Sequence, residues 1–152
     1  MAYSIIEQQT LDIDVFFKDR VKYIHVASAG GSLPKVISEN DINNNAFSIF
    51  VESLPSLFEI EINPNLVDLI DLNPNDVDMY LADFVKMAKK GFYSYDKTQL
   101  GSFDNRFFHL VARPKGQNRL SIKNNINLLT IDNNLPDDFK QFNLFKFCKK
   151  GL

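Results

Sequence analysis

The most regular pattern of apolar and polar positions in this chain predicts one amphipathic helix over residues 74–90. Its apolar side chains recur at intervals of three and four positions, which places them on one helix face. They are Val77, Tyr80, Leu81, Phe84, Val85 and Ala88. Asn73 can cap this helix, Pro74 suits its first turn, and Gly91 allows the left-handed backbone that ends it.

Runs of β-branched and aromatic residues predict strands on both sides of this helix. The clearest runs are 21–27, 47–52, 58–62 and 106–112, and weaker ones are 3–6, 92–95, 119–122 and 127–131. The 106–112 run is apolar on both faces, which is typical of a central strand. A short connection between 47–52 and 58–62 favours an antiparallel hairpin.

Shorter helices are predicted at 12–20, where Asp12 can act as the cap, at 66–72 and at 136–142. The glycine-rich segment 28–34 and the asparagine-rich segment 38–46 are predicted loops. No repeat or flexible linker divides the sequence, so residues 1–152 are expected to form a single domain. We therefore predict an α+β fold, with a mainly antiparallel sheet of about five or six strands and the 74–90 helix packed on one face.

Composition narrows the class of protein. A chain of 152 residues with 45% hydrophobic residues can build one sizeable core, and 14 Phe with no Trp make that core rich in phenylalanine. The single cysteine, Cys148, excludes an internal disulfide and a multi-cysteine zinc site. No apolar run approaches the ~20 residues of a membrane span, and no secretion signal is recognisable. The expectation is a soluble, cytoplasmic protein without a membrane partner.

The charges are unevenly distributed along the chain. Residues 1–85 carry 14 acidic and 4 basic side chains, whereas residues 86–152 carry 5 acidic and 13 basic ones. Such an asymmetry can mark an anion-binding face. The alternative is a fold in which the two halves interleave and neutralise each other, since sequence halves rarely map onto separate faces of a compact domain.

A group of basic residues brackets the predicted strand 106–112 and the turn that follows it. It consists of Arg106, Arg113, Lys115, Arg119 and Lys123. Aromatic residues nearby suit a phosphate backbone or single-stranded bases, but the sequence pI of about 5.6 and the absence of a nucleic-acid motif argue against nucleic acid. We predict that these residues bind another protein; the alternative is a solvated rim that pairs with the acidic half.

His25 and His109 are the candidate acid–base groups near neutral pH, and each lies within a predicted strand. If the two strands were neighbours, the imidazoles could meet on one face. A hydroxyl or carboxylate could then complete a catalytic set, the candidates being Ser28, Ser94, Ser102 and Asp104. The alternative is that both histidines are hydrogen-bonded core residues.

Neither a cofactor nor a metal is predicted. Gly30, Gly31 and Ser32 follow a strand but lack the spacing of a dinucleotide or Walker motif. Residues 41–52 resemble a calcium loop, yet Ala46 stands where glycine is needed. The acidic pairs at 12/14 and 76/78 lie at predicted helix starts, where they would stabilise the helix dipole.

These observations lead to two hypotheses on function. The first is a non-catalytic interaction or regulatory protein that binds another macromolecule through a charge-divided surface. The alternative is a small enzyme that acts on a phosphorylated or otherwise anionic metabolite with His109 or His25. An open pocket that contains a histidine beside a charged partner would favour the enzyme.

Overall fold

The computed structural model describes residues 2–116, 120–122 and 126–148. These residues contain six strands and six α-helices. The strands are β1 (Asp14–Lys18), β2 (Tyr23–Ala27), β3 (Ile60–Ile62), β4 (Tyr93–Lys97), β5 (Phe107–Pro114) and β6 (Phe142–Asn143). The helices are α1 (Ile5–Thr10), α2 (Lys35–Ser38), α3 (Asp41–Val51), α4 (Leu66–Leu69), α5 (Val77–Lys89) and α6 (Leu144–Phe147).

The strands form one mixed sheet in the order β1–β2–β4–β5–β3, and β6 pairs with β5. Every pairing is antiparallel except that of β2 with β4. Because a parallel pair needs a long crossover, the chain between these two strands is free to carry most of the helices. The longest helix, α5, packs on β4 and β5. The predicted α+β class, the mainly antiparallel sheet and the principal helix on one face are therefore confirmed.

Successive side chains of a strand point to opposite faces, so the sheet buries a separate apolar cluster on each side. One cluster gathers Ile24 and Leu110 with the C-terminal segment. On the other face Phe84 of α5 covers Val111, and α3 extends this layer over β1. The strand residues that alternate with Ile24 and Leu110 therefore lie beneath α5.

Helix α5 has the predicted position, but the predicted cap, Asn73, belongs to a 3-10 turn that precedes it. The Asn73 side chain accepts a hydrogen bond from the backbone N–H of Asn75, and a 3-10 turn over Pro74–Asp76 leads into the helix. Gly91 follows the last turn with φ of 109°, in the region that favours glycine. The strands predicted at 21–27, 92–95 and 106–112, the loop at 28–34 and the short helix at 66–72 are also confirmed, with adjusted ends.

Two predictions for the first twenty residues are wrong. Residues 3–6 are not a strand, because Ser4 and Glu7 form a capping box that starts α1. Residues 12–20 are not a helix but contain β1. Val15 and Phe17 point into one apolar cluster and Phe16 into the other, so the run has a period of two.

The segment 38–52 is also corrected. It is mainly the helix α3 rather than a loop followed by a strand, so the predicted hairpin with 58–62 does not exist. Phe47 and Val51 are buried one turn apart, and Asn44 lies on the same side. The Asn44 side chain accepts from the N–H of Phe16 and donates to the carbonyl of Asp14, which ties α3 to β1. The strand predicted at 58–62 is shortened to β3, and it pairs with β5 instead.

The C-terminal region contains less regular structure than predicted. Residues 127–131 contribute a single bridge between Thr130 and Lys18, residues 120–122 are not a strand, and residues 136–142 are not a helix. Ile131 and Leu135 are nevertheless buried, so apolar burial holds this segment without a strand or helix. Phe145 and Phe147 pack against the core from α6.

Candidate functional site

The two histidines lie on the same face of the sheet, beneath α5, but they do not meet. β4 separates β2 from β5, so His25 lies opposite Ser94, and His109 lies opposite Asp96. Both histidines are fully buried. Each therefore belongs to its own polar cluster within the sheet–helix interface.

The first cluster joins His25 to Asp14 and Ser94. Nδ1 of His25 lies 2.6 Å from Oγ of Ser94, and Nε2 lies 2.8 Å from a carboxylate oxygen of Asp14. Phe16 and Phe84 flank the imidazole. These are the three groups of a serine–histidine–aspartate set. Because Ser94 is fully buried, a substrate carbonyl has no approach to its oxygen in this conformation.

The second cluster joins His109 to Tyr80, Asp96 and Thr98. The Tyr80 hydroxyl donates to Oδ2 of Asp96 at 2.8 Å and lies 3.2 Å from Nε2 of His109. Oγ1 of Thr98 lies 2.9 Å from Nδ1 of the same ring. Burial raises the pKa of Asp96 to about 7 and lowers the pKa of His109 to about 4. Burial thus favours the neutral form of both groups.

The other proposed partners of the histidines lie elsewhere. Ser28 is buried, and its hydroxyl accepts from the N–H of Ile13. Ser102 and Asp104 are exposed on the connection between β4 and β5. Neither histidine is among the described lining residues of two prominent clefts on the surface. Within the described chain, the only predicted partner that contacts a histidine is Ser94.

One of these clefts, here the basic cleft, lies between α2, the start of β5 and α6, and has a volume of about 550 Å³. Its cations are Lys35, Arg106 and Lys146, and no carboxylate belongs to its described lining. The Arg106 guanidinium carbon lies 4.4 Å from the centroid of the Phe145 ring, which holds the group at the wall. Lys35 also approaches Glu39 at 3.7 Å, but its side chain is 86% exposed.

The described members of the predicted basic group are not assembled into one patch. Arg106 lies in the basic cleft, whereas roughly 23 Å of extended chain separates it from Arg113. Arg113 pairs with Glu61 at 3.0 Å, donates to the carbonyl of Asp137 and stacks on Phe139. Lys115 is exposed beyond β5. Arg119 and Lys123 lie outside the described residues.

The acidic and basic halves of the sequence are in contact at Arg113–Glu61 and again at Lys86–Glu52. These pairs neutralise part of the charge asymmetry, as interleaving requires. Sequence reasoning did not bring Lys35 and Lys146 together with Arg106, because the three residues lie on separate elements. Only the chain topology places them around one cleft.

The remaining motifs have structural roles in the described residues. Asp41 and Asn45 lie within α3 rather than in a calcium loop, and Asp12 accepts from the N–H of Ala29. A Cβ at Gly31 would lie 2.7 Å from the Lys97 side chain, so glycine permits this close packing. No group of three or more His, Cys, Asp or Glu among the described residues could hold a metal ion. Burial raises the pKa of the Cys148 thiol to about 12, which disfavours the reactive thiolate.

No family model matches this chain, and neither the curated proteins nor the solved structures include a significant match to it. None of the helices in the described chain combines the length and the apolar character that crossing a bilayer requires.

Proposed function

We propose that this protein is a non-catalytic binding protein that captures an acidic segment of another protein in the basic cleft. The observation that carries the proposal is the cleft's charge: Lys35, Arg106 and Lys146 surround it, and its described lining holds no carboxylate. The whole chain has a formal net charge of −2, so this cleft is a local positive site on an acidic protein. Complementary charge steers a partner to such a site.

The arrangement of the cations suits an acidic peptide segment. Arg106 stacks on Phe145 through its planar face, and its N–H edges remain the donors that pair with a carboxylate in a bidentate way. Lys35 and Lys146 add single point charges from two other elements. A volume of about 550 Å³ accommodates a few side chains rather than a folded domain. The partner is therefore expected to present an extended segment with neighbouring Asp or Glu residues.

The competing function is a small enzyme that acts on an anionic metabolite with His25 or His109. The proximity of Asp14, His25 and Ser94 favours it, because these residue types form a nucleophilic set, although here Nδ1 faces the serine and Nε2 faces the carboxylate, the reverse of that set. Burial opposes it, because the serine and the imidazole are reached only if α5 or α3 separates from the sheet. The binding hypothesis needs no such opening.

A labelled poly-glutamate peptide tests the proposed function by fluorescence anisotropy at low and at physiological salt. The cleft variant Arg106→Gln/Lys146→Gln should weaken binding by about tenfold or more, since a hydrogen bond to a charged group contributes ~1.5–3 kcal/mol. The control variant Lys89→Gln/Lys115→Gln removes the same charge from exposed sites outside the cleft. It should bind within about twofold of wild type.

Equal weakening in the two variants would show that binding follows net charge and would overturn the basic cleft as the site. Oligo-dT of the same length provides the comparison with nucleic acid. Tighter binding of oligo-dT than of poly-glutamate would contradict a protein partner. Higher salt should weaken the interaction because the charges involved are largely exposed.

A further inference from the structure

A second cleft, here the turn cleft, opens at the end of the sheet where β1 passes into β2. Its volume is about 560 Å³, and it shares no lining residue with the basic cleft. The β1–β2 turn, Gly91, Tyr93 at the start of β4, Leu120 and Thr130 are among the residues that line it. Ligand pockets commonly have volumes of about 300–1,000 Å³, so the space suits a small molecule.

The turn that borders this cleft is held rigid by a buried carboxylate. Asp19 accepts hydrogen bonds from the N–H groups of Val21, Lys22 and Leu135 at 2.8, 2.9 and 3.0 Å. It also pairs with the Lys22 ammonium at 2.6 Å. Asp19 and Lys22 therefore neutralise each other and fix the backbone before any ligand arrives. Such a preorganised wall lowers the entropy cost of binding.

Lys18 and Arg20 are the cations that remain in the described lining of the turn cleft. Neither forms an ion pair with a described carboxylate, although both line the space. The Lys18 ammonium lies 6.0 Å from the centroid of the Tyr23 ring. Asp19 and Lys22 cancel each other, so the described lining holds these two positive charges against the single carboxylate of Asp137, and the cleft keeps a net positive character. An anionic group is the chemistry that this wall would recognise.

Two tyrosines border the same space from opposite faces of the sheet. Tyr93 pairs with Ile24 in the register of β2 and β4, so it shares the face of Ile24, whereas Tyr23 points to the other face. Both rings are half-buried, and both line the cleft. At Gly91 the absence of a side chain allows Leu120 and Phe58 to pack closely, since a Cβ there would lie 2.7 Å and 2.9 Å from them. Aromatic walls of this kind favour a planar ring.

We infer that the turn cleft binds a small molecule that contains both a planar ring and a phosphate, of the class of the nucleoside monophosphates. Lys18 and Arg20 bind the phosphate, and Tyr23 or Tyr93 packs against the ring. The exposed carboxylate of Asp137, also at the cleft, accepts from an amino group of the base. This site is separate from the basic cleft, so it stands whether or not that cleft captures a protein.

Calorimetric titration of the full chain with AMP, GMP, CMP and UMP tests the inference. At least one nucleotide should bind with one site per chain. Its nucleoside and inorganic phosphate should each bind about tenfold or more weakly, because each lacks one set of contacts. The variant Lys18→Gln/Arg20→Gln should weaken the nucleotide by a similar factor. The basic-cleft variant Arg106→Gln/Lys146→Gln serves as the matched control and should bind the nucleotide as wild type does.

Absence of binding by all four nucleotides at millimolar concentration would overturn the inference. Equal affinity of the nucleotide for wild type and for Lys18→Gln/Arg20→Gln would also overturn it, because the ligand would then lie elsewhere. Thermal melts check that the double variant folds. If it does not fold, NMR of the wild-type tyrosine rings replaces it: shifts of Tyr23 and Tyr93 on addition of nucleotide support the site, and unshifted rings contradict it.

Discussion

Nδ1 of His25 lies 2.6 Å from Oγ of Ser94, across the single parallel pairing among the described strands. The opposite ring nitrogen lies 2.8 Å from the carboxylate of Asp14. Both nitrogens of a fully buried imidazole are thus satisfied within the fold. Through these two hydrogen bonds, His25 of β2 links Asp14 of β1 to Ser94 of β4 beneath α5.

Ser94→Ala should lower the free energy of unfolding by about 1–3 kcal/mol, because it leaves Nδ1 of His25 buried without a partner. Urea unfolding followed by circular dichroism measures the change. Ser102→Ala is the matched control, since Ser102 is exposed and should change stability by less than about 0.5 kcal/mol. Equal midpoints for the two variants would contradict a stabilising role of the His25–Ser94 contact.

The same serine also separates the two functional hypotheses. A fluorophosphonate probe should leave folded wild-type protein unlabelled, because Ser94 is fully buried. Labelling that disappears in Ser94→Ala would instead favour the small enzyme over the binding protein.

Phe84→Ala should lower the free energy of unfolding by roughly 3–5 kcal/mol, through lost burial and a residual cavity. Phe84 is 7% exposed and lies against Tyr80 and His25. Met79→Ala on the outer face of the same helix is the control, because Met79 is 81% exposed and Ala has a higher helix propensity. A wild-type urea midpoint for Phe84→Ala would mean that α5 does not bury this face.

The stability of the protein should fall as the pH rises through 7. Burial raises the folded pKa of Asp96 to about 7, far above the unfolded value of about 3.9. Between these values the folded state retains a proton that the unfolded state has lost, so a rise in pH favours unfolding. His109 acts in the opposite direction, because its folded pKa of about 4 lies below the unfolded value of about 6.5.

Between about pH 4 and pH 6.5, Asp96 lowers the stability as the pH rises, whereas His109 raises it. Above about pH 6.5 only the effect of Asp96 remains. Wild type should therefore lose on the order of 1 kcal/mol between pH 6.5 and 8, and Asp96→Asn should not. His109→Gln should show a steeper loss between pH 4 and 6.5, since it removes the opposing slope. Chemical denaturation across the pH range measures all three curves, and parallel curves for wild type and Asp96→Asn would refute the assignment.

Elements with strong local signals were predictable from the sequence. The helix at 74–90 combines an apolar period of three and four with a cap at Asn73 and a stop at Gly91, and all three signals act within a few residues. The 106–112 run is apolar on both faces, and β5 indeed lies inside the sheet, between β4 and β3. Burial on both sides is the physical reason that such a run avoids an edge.

Elements whose apolar residues fit two periods were not predictable. Phe47 and Val51 can belong to an alternating strand or to one face of a helix, and the contacts of Asn44 with β1 favour the helix. The opposite error occurs at β1, where a predicted helix is a strand. Its apolar residues fit a strand because each face of β1 meets a separate apolar cluster, Val15 and Phe17 on one side and Phe16 on the other. In both places burial against distant residues outweighs a local preference of a few tenths of a kcal/mol per residue.

The sequence by itself determined the α+β class, the principal helix and the central strand, because periodicity and capping are properties of neighbouring residues. The excess of acidic residues in 1–85 and of basic residues in 86–152 was also visible in the sequence. Which of these charges pair with each other depended on how the strands and helices are arranged. Pairing of β3 with β5 joins Arg113 to Glu61, and the positions of α2 and α6 bring Lys35 and Lys146 to Arg106. Only the tertiary structure decided these contacts, because they join residues that are distant in the chain and carry no shared local pattern.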